Sequence, residues 1–141
     1  MPGGTANWTF TDATGNYNNK SGSVAITISQ AGSTTTVTAN NATYDGQPHG
    51  ATAVATGAGG LNESLAVSYS GRNGTVYGPS ATAPSQAGDY TASASFAGDV
   101  NHTGSSGSKD FSIGKAAVTV TADAKSKTYG DDDPALTYQV T

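Results

Sequence analysis

Short runs of alternating apolar and polar residues follow one another along this chain. Trp8 and Phe10 fall on one side of the first run, with Thr9 and Thr11 on the other. Val24, Ile26 and Ile28 alternate with Ala25, Thr27 and Ser29, and Leu65, Val67 and Tyr69 alternate with Ala66 and Ser68. Between Tyr90 and Phe96 the inward positions are Ala92 and Ala94. Val118, Val120 and Ala122 share a further face, as do Leu136, Tyr138 and Val140. A side chain that changes face at every residue marks a half-buried strand. Clusters of Gly, Pro, Asn and Asp separate the runs and read as turns. No long segment keeps a 3.6-residue period, and Gly, Thr and Val, all weak helix formers, occur throughout. The pattern predicts an all-β protein built as an antiparallel immunoglobulin-like sandwich.

The alternation is itself repeated. Asn16-Tyr17-Asn18-Asn19-Lys20-Ser21-Gly22-Ser23 aligns with Asn101-His102-Thr103-Gly104-Ser105-Ser106-Gly107-Ser108. Ile26-Thr27-Ile28 then meets Phe111-Ser112-Ile113. Further on, Thr36-Val37-Thr38-Ala39 matches Thr119-Val120-Thr121-Ala122, and Thr43-Tyr44-Asp45-Gly46 resembles Thr128-Tyr129-Gly130-Asp131. The offset stays at about 85 residues, too long for a solenoid unit and suited to one small sandwich per repeat. This divides the chain into residues 1–31, the end of one repeat, residues 32–115, a complete repeat, and residues 116–141, the opening of the next. The tandem arrangement leaves the two flanking segments without the central strands of their own repeats.

Composition narrows the function classes. Only 11% of the residues are charged and the net charge is −4, with no basic stripe to neutralise phosphates, so nucleic acid is not an expected partner. Cysteine is absent, which excludes disulfides and thiolate metal sites. No apolar run reaches membrane-spanning length, so no membrane insertion is expected. Met1-Pro2-Gly3-Gly4 has neither a basic start nor an apolar stretch, so an extracellular reading requires an export signal elsewhere or an excised fragment.

Several motifs carry a family likeness. Thr43-Tyr44-Asp45-Gly46-Gln47-Pro48-His49, Gly57-Ala58-Gly59-Gly60-Leu61-Asn62, Leu65-Ala66-Val67-Ser68-Tyr69, Ala87-Gly88-Asp89-Tyr90-Thr91-Ala92 and Phe96-Ala97-Gly98-Asp99-Val100-Asn101-His102 stand in the central repeat. Downstream comes Thr128-Tyr129-Gly130-Asp131-Asp132-Asp133-Pro134-Ala135-Leu136-Thr137-Tyr138. With these YDG and YGD signatures the chain resembles bacterial Ig-like repeats of the MBG type. The resemblance implies tandem arrays in very large surface or secreted proteins, and it implies no catalytic residues. Ala87-Gly88-Asp89-Tyr90 also resembles the tyrosine corner of immunoglobulin folds, with Ala92 where the second disulfide cysteine would stand.

Candidate chemistry is sparse. His49 and His102, the two histidines, have Asp45 and Asp99 nearby in sequence, yet a zinc site needs three or four convergent ligands. They read as loop histidines beside turn-forming aspartates. Asp131-Asp132-Asp133 with Asp123 could hold calcium, but the spacing is not that of an EF-hand and a solvated turn before Pro134 accounts for it. Gly57-Ala58-Gly59-Gly60 lacks the lysine and helix of a phosphate loop. Glu63 is the sole glutamate, no Gly-x-Ser-x-Gly elbow occurs, and Lys20, Lys109, Lys115, Lys125 and Lys127 fall mostly in loops or at strand ends, unsuited to a buried isopeptide. No catalytic, cofactor or metal residue is therefore expected, and the chain is not expected to be an enzyme.

Three roles remain. The first is a spacer or stalk in an extracellular bacterial surface protein or adhesin, its linkers around Ala31-Gly32-Ser33 and Gly114-Lys115-Ala116 too short for free rotation. The second is an extracellular fibre subunit whose part-domains complete one another between identical copies. The third is an adhesive module binding glycan or protein through Tyr77 and Arg72. The expected partners are neighbouring Ig-like repeats, identical subunits, or a glycan or protein ligand.

Overall fold

The computed structural model describes residues 3–141; Met1 and Pro2, with which the segment 1–31 and the stretch Met1–Gly4 begin, lie outside them. The strands are β1 (Gly4–Phe10), β2 (Lys20–Ile26), β3 (Ser33–Thr38), β4 (Ala42–Thr43), β5 (Thr52–Gly57), β6 (Asn62–Ser64), β7 (Ser68–Arg72), β8 (Gly88–Phe96), β9 (Ser105–Gly114), β10 (Val120–Ala122) and β11 (Tyr138–Val140), and each alternating run contributes to one of them, though Ile28, Leu65, Val67, Val118 and Leu136 fall outside strands. Two sheets, β3-β5-β6 and β4-β9-β8-β7, make a β-sandwich. β1-β2 and β10-β11 are separate two-stranded sheets on either side of it in sequence.

The core follows from the period of two. On β8, Tyr90, Ala92, Ala94 and Phe96 are buried while Ser93 and Ser95 face solvent. On β3, Thr35 and Val37 point inward and Thr34, Thr36 and Thr38 outward. Val37, Ala39, Ala53, Tyr69, Tyr90, Ala92, Ala94, Phe111 and Ile113 form one cluster. The rings of Tyr90 and Phe111 stack at 5.6 Å, and Tyr69 meets Phe111 edge-on at 6.3 Å. Alanine on the remaining inward positions lets the sheets close around so few large side chains, so 35% apolar residues suffice. The two sheets approach closely at Gly107, where a Cβ would collide with the backbone carbonyl of Thr35. A glycine inside a strand marks such a contact.

Two departures from simple alternation have physical causes. The ladders are antiparallel except that β4 pairs in parallel with β9, Ala42 opposite Ile113 and Thr43 opposite Gly114. The chain leaving β3 crosses to the other sheet and covers the end of an otherwise open edge. Leu65–Val67, whose alternation predicts a strand, is instead the connection between sheets: β6 ends at Ser64 and β7 begins at Ser68. Leu65 and Val67 still pack against the core, so their apolar spacing reports burial rather than ladder pairing.

The flanking hairpins reproduce parts of the sandwich. β1 and β2 pair from Gly4 opposite Ile26 to Phe10 opposite Lys20, the register in which β8 and β9 pair from Tyr90 opposite Phe111 to Phe96 opposite Ser105. β10 and β11 pair with Val120 opposite Val140, as β3 and β5 pair with Val37 opposite Ala53. Unlike their buried counterparts Ala94, Phe96, Phe111, Val37 and Ala53, Trp8, Phe10, Ile26, Val120 and Val140 of the hairpins are exposed, as are Val24 and Tyr138.

Candidate functional site

β9 spans the sandwich, and its two ends define the two poles at which the chain enters and leaves. The entry pole is assembled on the loop between β8 and β9. The amide of Ala31 donates to the carbonyl of Asn101 at 2.8 Å, and the amide of Thr103 donates back to the carbonyl of Ala31 at 2.9 Å. Gln30 Nε2 donates to the carbonyl of Asp99, and Ser33 Oγ donates to that of Thr103, both at 2.6 Å. The linker is therefore clipped to the domain it enters.

His102 holds that loop together. It is 8% exposed, the more buried of the two histidines. Its Nδ1 lies 3.0 Å from the Asp99 carboxylate and its Nε2 lies 2.8 Å from the carbonyl of Ala58. Both partners are acceptors, so satisfying both requires a proton on each nitrogen, the imidazolium form. The Ala58 carbonyl, and after it the Asp99 carboxylate, accordingly raise the pKa of His102 above its ordinary value against the opposing effect of burial. The hydrogen bond from His102 and the amides of Asn101 and His102 hold the Asp99 carboxyl below its usual range. Gly57-Ala58-Gly59-Gly60 thus serves as a tight turn between β5 and β6, with Gly59 and Gly60 at positive φ, presenting a carbonyl to His102. The sequence places His102 in a loop beside Asp99, but the contact to Ala58 spans 44 residues and no local pattern announces it.

The exit pole is built around Tyr90. Its hydroxyl donates to the carbonyl of Gln86 at 2.8 Å, the bond that the corner motif predicts. Burial, and secondarily the neighbouring Tyr77, pushes its pKa up. Gly88 admits no Cβ here, because the side chain of Thr75 and the Tyr90 hydroxyl already fill the space. Beside the exit, Tyr44, Gln86, Ala87, Lys115, Ala116 and Val118 line a shallow depression.

The candidate ligand contacts Tyr77 and Arg72 also lie near this pole, but both are tied into the fold. Tyr77 is half-buried, packs edge-on against Tyr90 at 5.6 Å and donates its hydroxyl to the carbonyl of Thr82. Arg72 reaches Asp110 at 3.5 Å across the sheet. Neither presents an open aromatic or cationic platform.

The remaining sequence candidates do not converge. His49 sits 3.1 Å from Asp45 near the exit pole, its amide bonded to the carbonyl of Pro84, while His102 occupies the entry pole. The amide of Gln47, before His49, lowers the pKa of Asp45. Asp123 accepts from the side chains of Thr137 and Gln139, whereas Asp133 pairs with Lys127. Among the described residues no three His, Asp or Glu side chains gather as a metal site would require. Lys109 stands within β9 and is exposed.

Comparison with known proteins adds a family. Residues 34–117 match the model described as MBG domain, and residues 118–141 match the model described as MBG domain (YGX type). No curated protein and no solved structure gives a significant match. Since the first match alone spans more than half of the chain, the protein belongs to the MBG domain family.

Proposed function

We propose that this chain is a structural spacer, a stalk segment of an extracellular bacterial surface protein, with no catalytic role. The observation that carries the reading is the polarity of β9. The chain enters beside Asn101–Thr103, just before the first residue of β9, and leaves from its last, Gly114. Ten strand residues cover about 33 Å at ~3.3 Å each, so every such domain in a chain adds its full length to a stalk. A fold with adjacent ends would add little reach. The clip at Ala31 supports the same role, since a tethered linker transmits orientation where a free one would not. A surface of Ser and Thr with few charges suits a segment that separates other parts without binding them.

The test is a distance distribution between spin labels placed at Gly32→Cys and Lys115→Cys in the full chain, which has no native cysteine. A single narrow population at about 30–40 Å is expected from the strand length. A short or broad distribution would remove the basis for the spacer. A glycan- or protein-binding role has less support, because Tyr77 and Arg72 are engaged internally.

A further inference from the structure

β9 carries a lysine where its alternation calls for a core residue. The odd-numbered residues of this strand face the opposite sheet. The Ser105 hydroxyl lies 2.8 Å from that of Thr35, Gly107 rests against the Thr35 carbonyl, and Phe111 and Ile113 are buried. Lys109 stands in the middle of this row, opposite the fully buried Ala92, and is nevertheless exposed. A charged group on an inward position is too costly to leave among apolar neighbours, and the flexible stem of a lysine lets its ammonium reach water past the rim of the sheet.

The rim that it passes is an open strand edge. β8 pairs with β9 from Ser105 to Ile113, but on the other side β4 covers only Ile113 and Gly114. The amide of Ser112 turns to that side, where it donates to Asn41 Oδ1 at 2.9 Å. Backbone groups alternate along a strand as side chains do, so the amides and carbonyls of Ser106, Ser108 and Asp110 point the same way. Among the described residues no strand pairs with them. Such a row is a template for strand addition. It is also self-complementary. About a two-fold axis through Ser108, an antiparallel second β9 sets Ser108 opposite Ser108 and Ser106 opposite Asp110, so that every outward-pointing residue meets another. No proline interrupts the row, and its outer face carries small serines that would not hold a second strand away.

We propose that Lys109 closes this edge to a second copy of the chain. A strand laid along Ser106–Asp110 seals the rim through which the ammonium reaches water. The ammonium is then left beside Ala92 and Phe111 on a core face that holds no carboxylate. The second copy brings no acid to that face either, because the same register sets its Gly107 opposite Lys109 and adds a second ammonium. Burying an unpaired charge costs more than a short ladder of backbone hydrogen bonds returns. All of these residues lie inside the central sandwich, and the spacer reading does not depend on them.

Three substitutions in the full chain test this. Lys109→Val and Lys109→Gln remove the charge, and Lys109→Arg keeps it; cooperative melting of the sandwich serves as the folding control. At matched concentrations, the two neutral variants should double in mass relative to the unaltered chain and stop there, because a two-fold contact closes. In those dimers the amides of Ser106, Ser108 and Asp110 should become protected from hydrogen exchange. In the unaltered chain and in Lys109→Arg the same amides should exchange freely. Lys109→Gln, which keeps most of the length of the side chain, decides the matter where the branched valine prevents folding. Neutral variants whose mass follows that of the unaltered chain overturn the proposal. So do a doubling of mass without protection of these three amides, an arginine variant that dimerises as the neutral ones do, and protection of the three amides in the unaltered chain.

Discussion

Tyr90 is 1% exposed, stacks on Phe111, meets Tyr77 edge-on and sends its hydroxyl to the carbonyl of Gln86. Tyr90→Phe keeps the ring contacts and removes only the donor, leaving a carbonyl without its partner. The expected cost is about 1 kcal/mol. For a domain of this size that corresponds to a fall of roughly 4–8 °C in Tm, with an unchanged far-ultraviolet spectrum. A variant that melts with the parent would show that the hydroxyl contributes nothing. Gly107 tests packing at the same scale. Gly107→Val forces a branched side chain into the backbone of Thr35, and overpacking of this kind costs about 1–3 kcal/mol or more. The same substitution at Gly22 meets the movable ring of Trp8, so thermal denaturation should register the first strongly and the second weakly.

At the scale of elements, the loop between β8 and β9 is the piece whose behaviour depends on pH. His102 has a raised pKa, so its contribution is complete below the ordinary histidine value of 6.5 and fades as pH rises through the folded value. Asp99 has a lowered pKa, so its contribution is complete above the ordinary value of 3.8 and fades as pH falls through the folded value. The clip on Gln30 and Ala31 should therefore be tightest between about pH 4 and 6.5. Amide shifts of Ala31 and Thr103 followed by NMR should move with the His102 titration, and a midpoint below the free-histidine value would refute the two-acceptor geometry. The strands themselves were largely legible in the alternation, because an inward residue at every second position depends only on the pleat. The corner at Tyr90 was legible for a similar reason, its partner lying four residues away. What escaped is long-range. The tie from His102 to Ala58, the clip from Ala31 to Asn101, the internal engagement of Tyr77 and the parallel pairing of β4 with β9 all depend on which segments the fold brings together. Leu65–Val67 escaped for another reason, since a segment crossing between sheets buries alternate residues as a strand does.

For the molecule as a whole, stability should be concentrated in the sandwich and thin at both ends. β8 is paired on both sides, by β7 and by β9, and puts Tyr90, Ala92 and Ala94 into the core, whereas each hairpin has one ladder and an apolar face open to water. A two-stranded ribbon is marginal in water without a covering layer. Native-state hydrogen exchange of the dilute chain should therefore show strong protection for amides of β8 and the paired part of β9, and fast exchange throughout β10 and β11. β1–β2 should lie between them, because its ladder is seven residues long and its loop is braced by Asp12. The Asp12 carboxylate accepts from the Thr14 hydroxyl and the amides of Tyr17 and Thr14, which together lower its pKa to about 2. That brace contributes fully above pH 3.8 and is lost only as pH falls through about 2. Lowering the pH from 5 to 3 should leave most of the β1–β2 protection in place. Equal protection across all the strands of the dilute chain would contradict this distribution of stability.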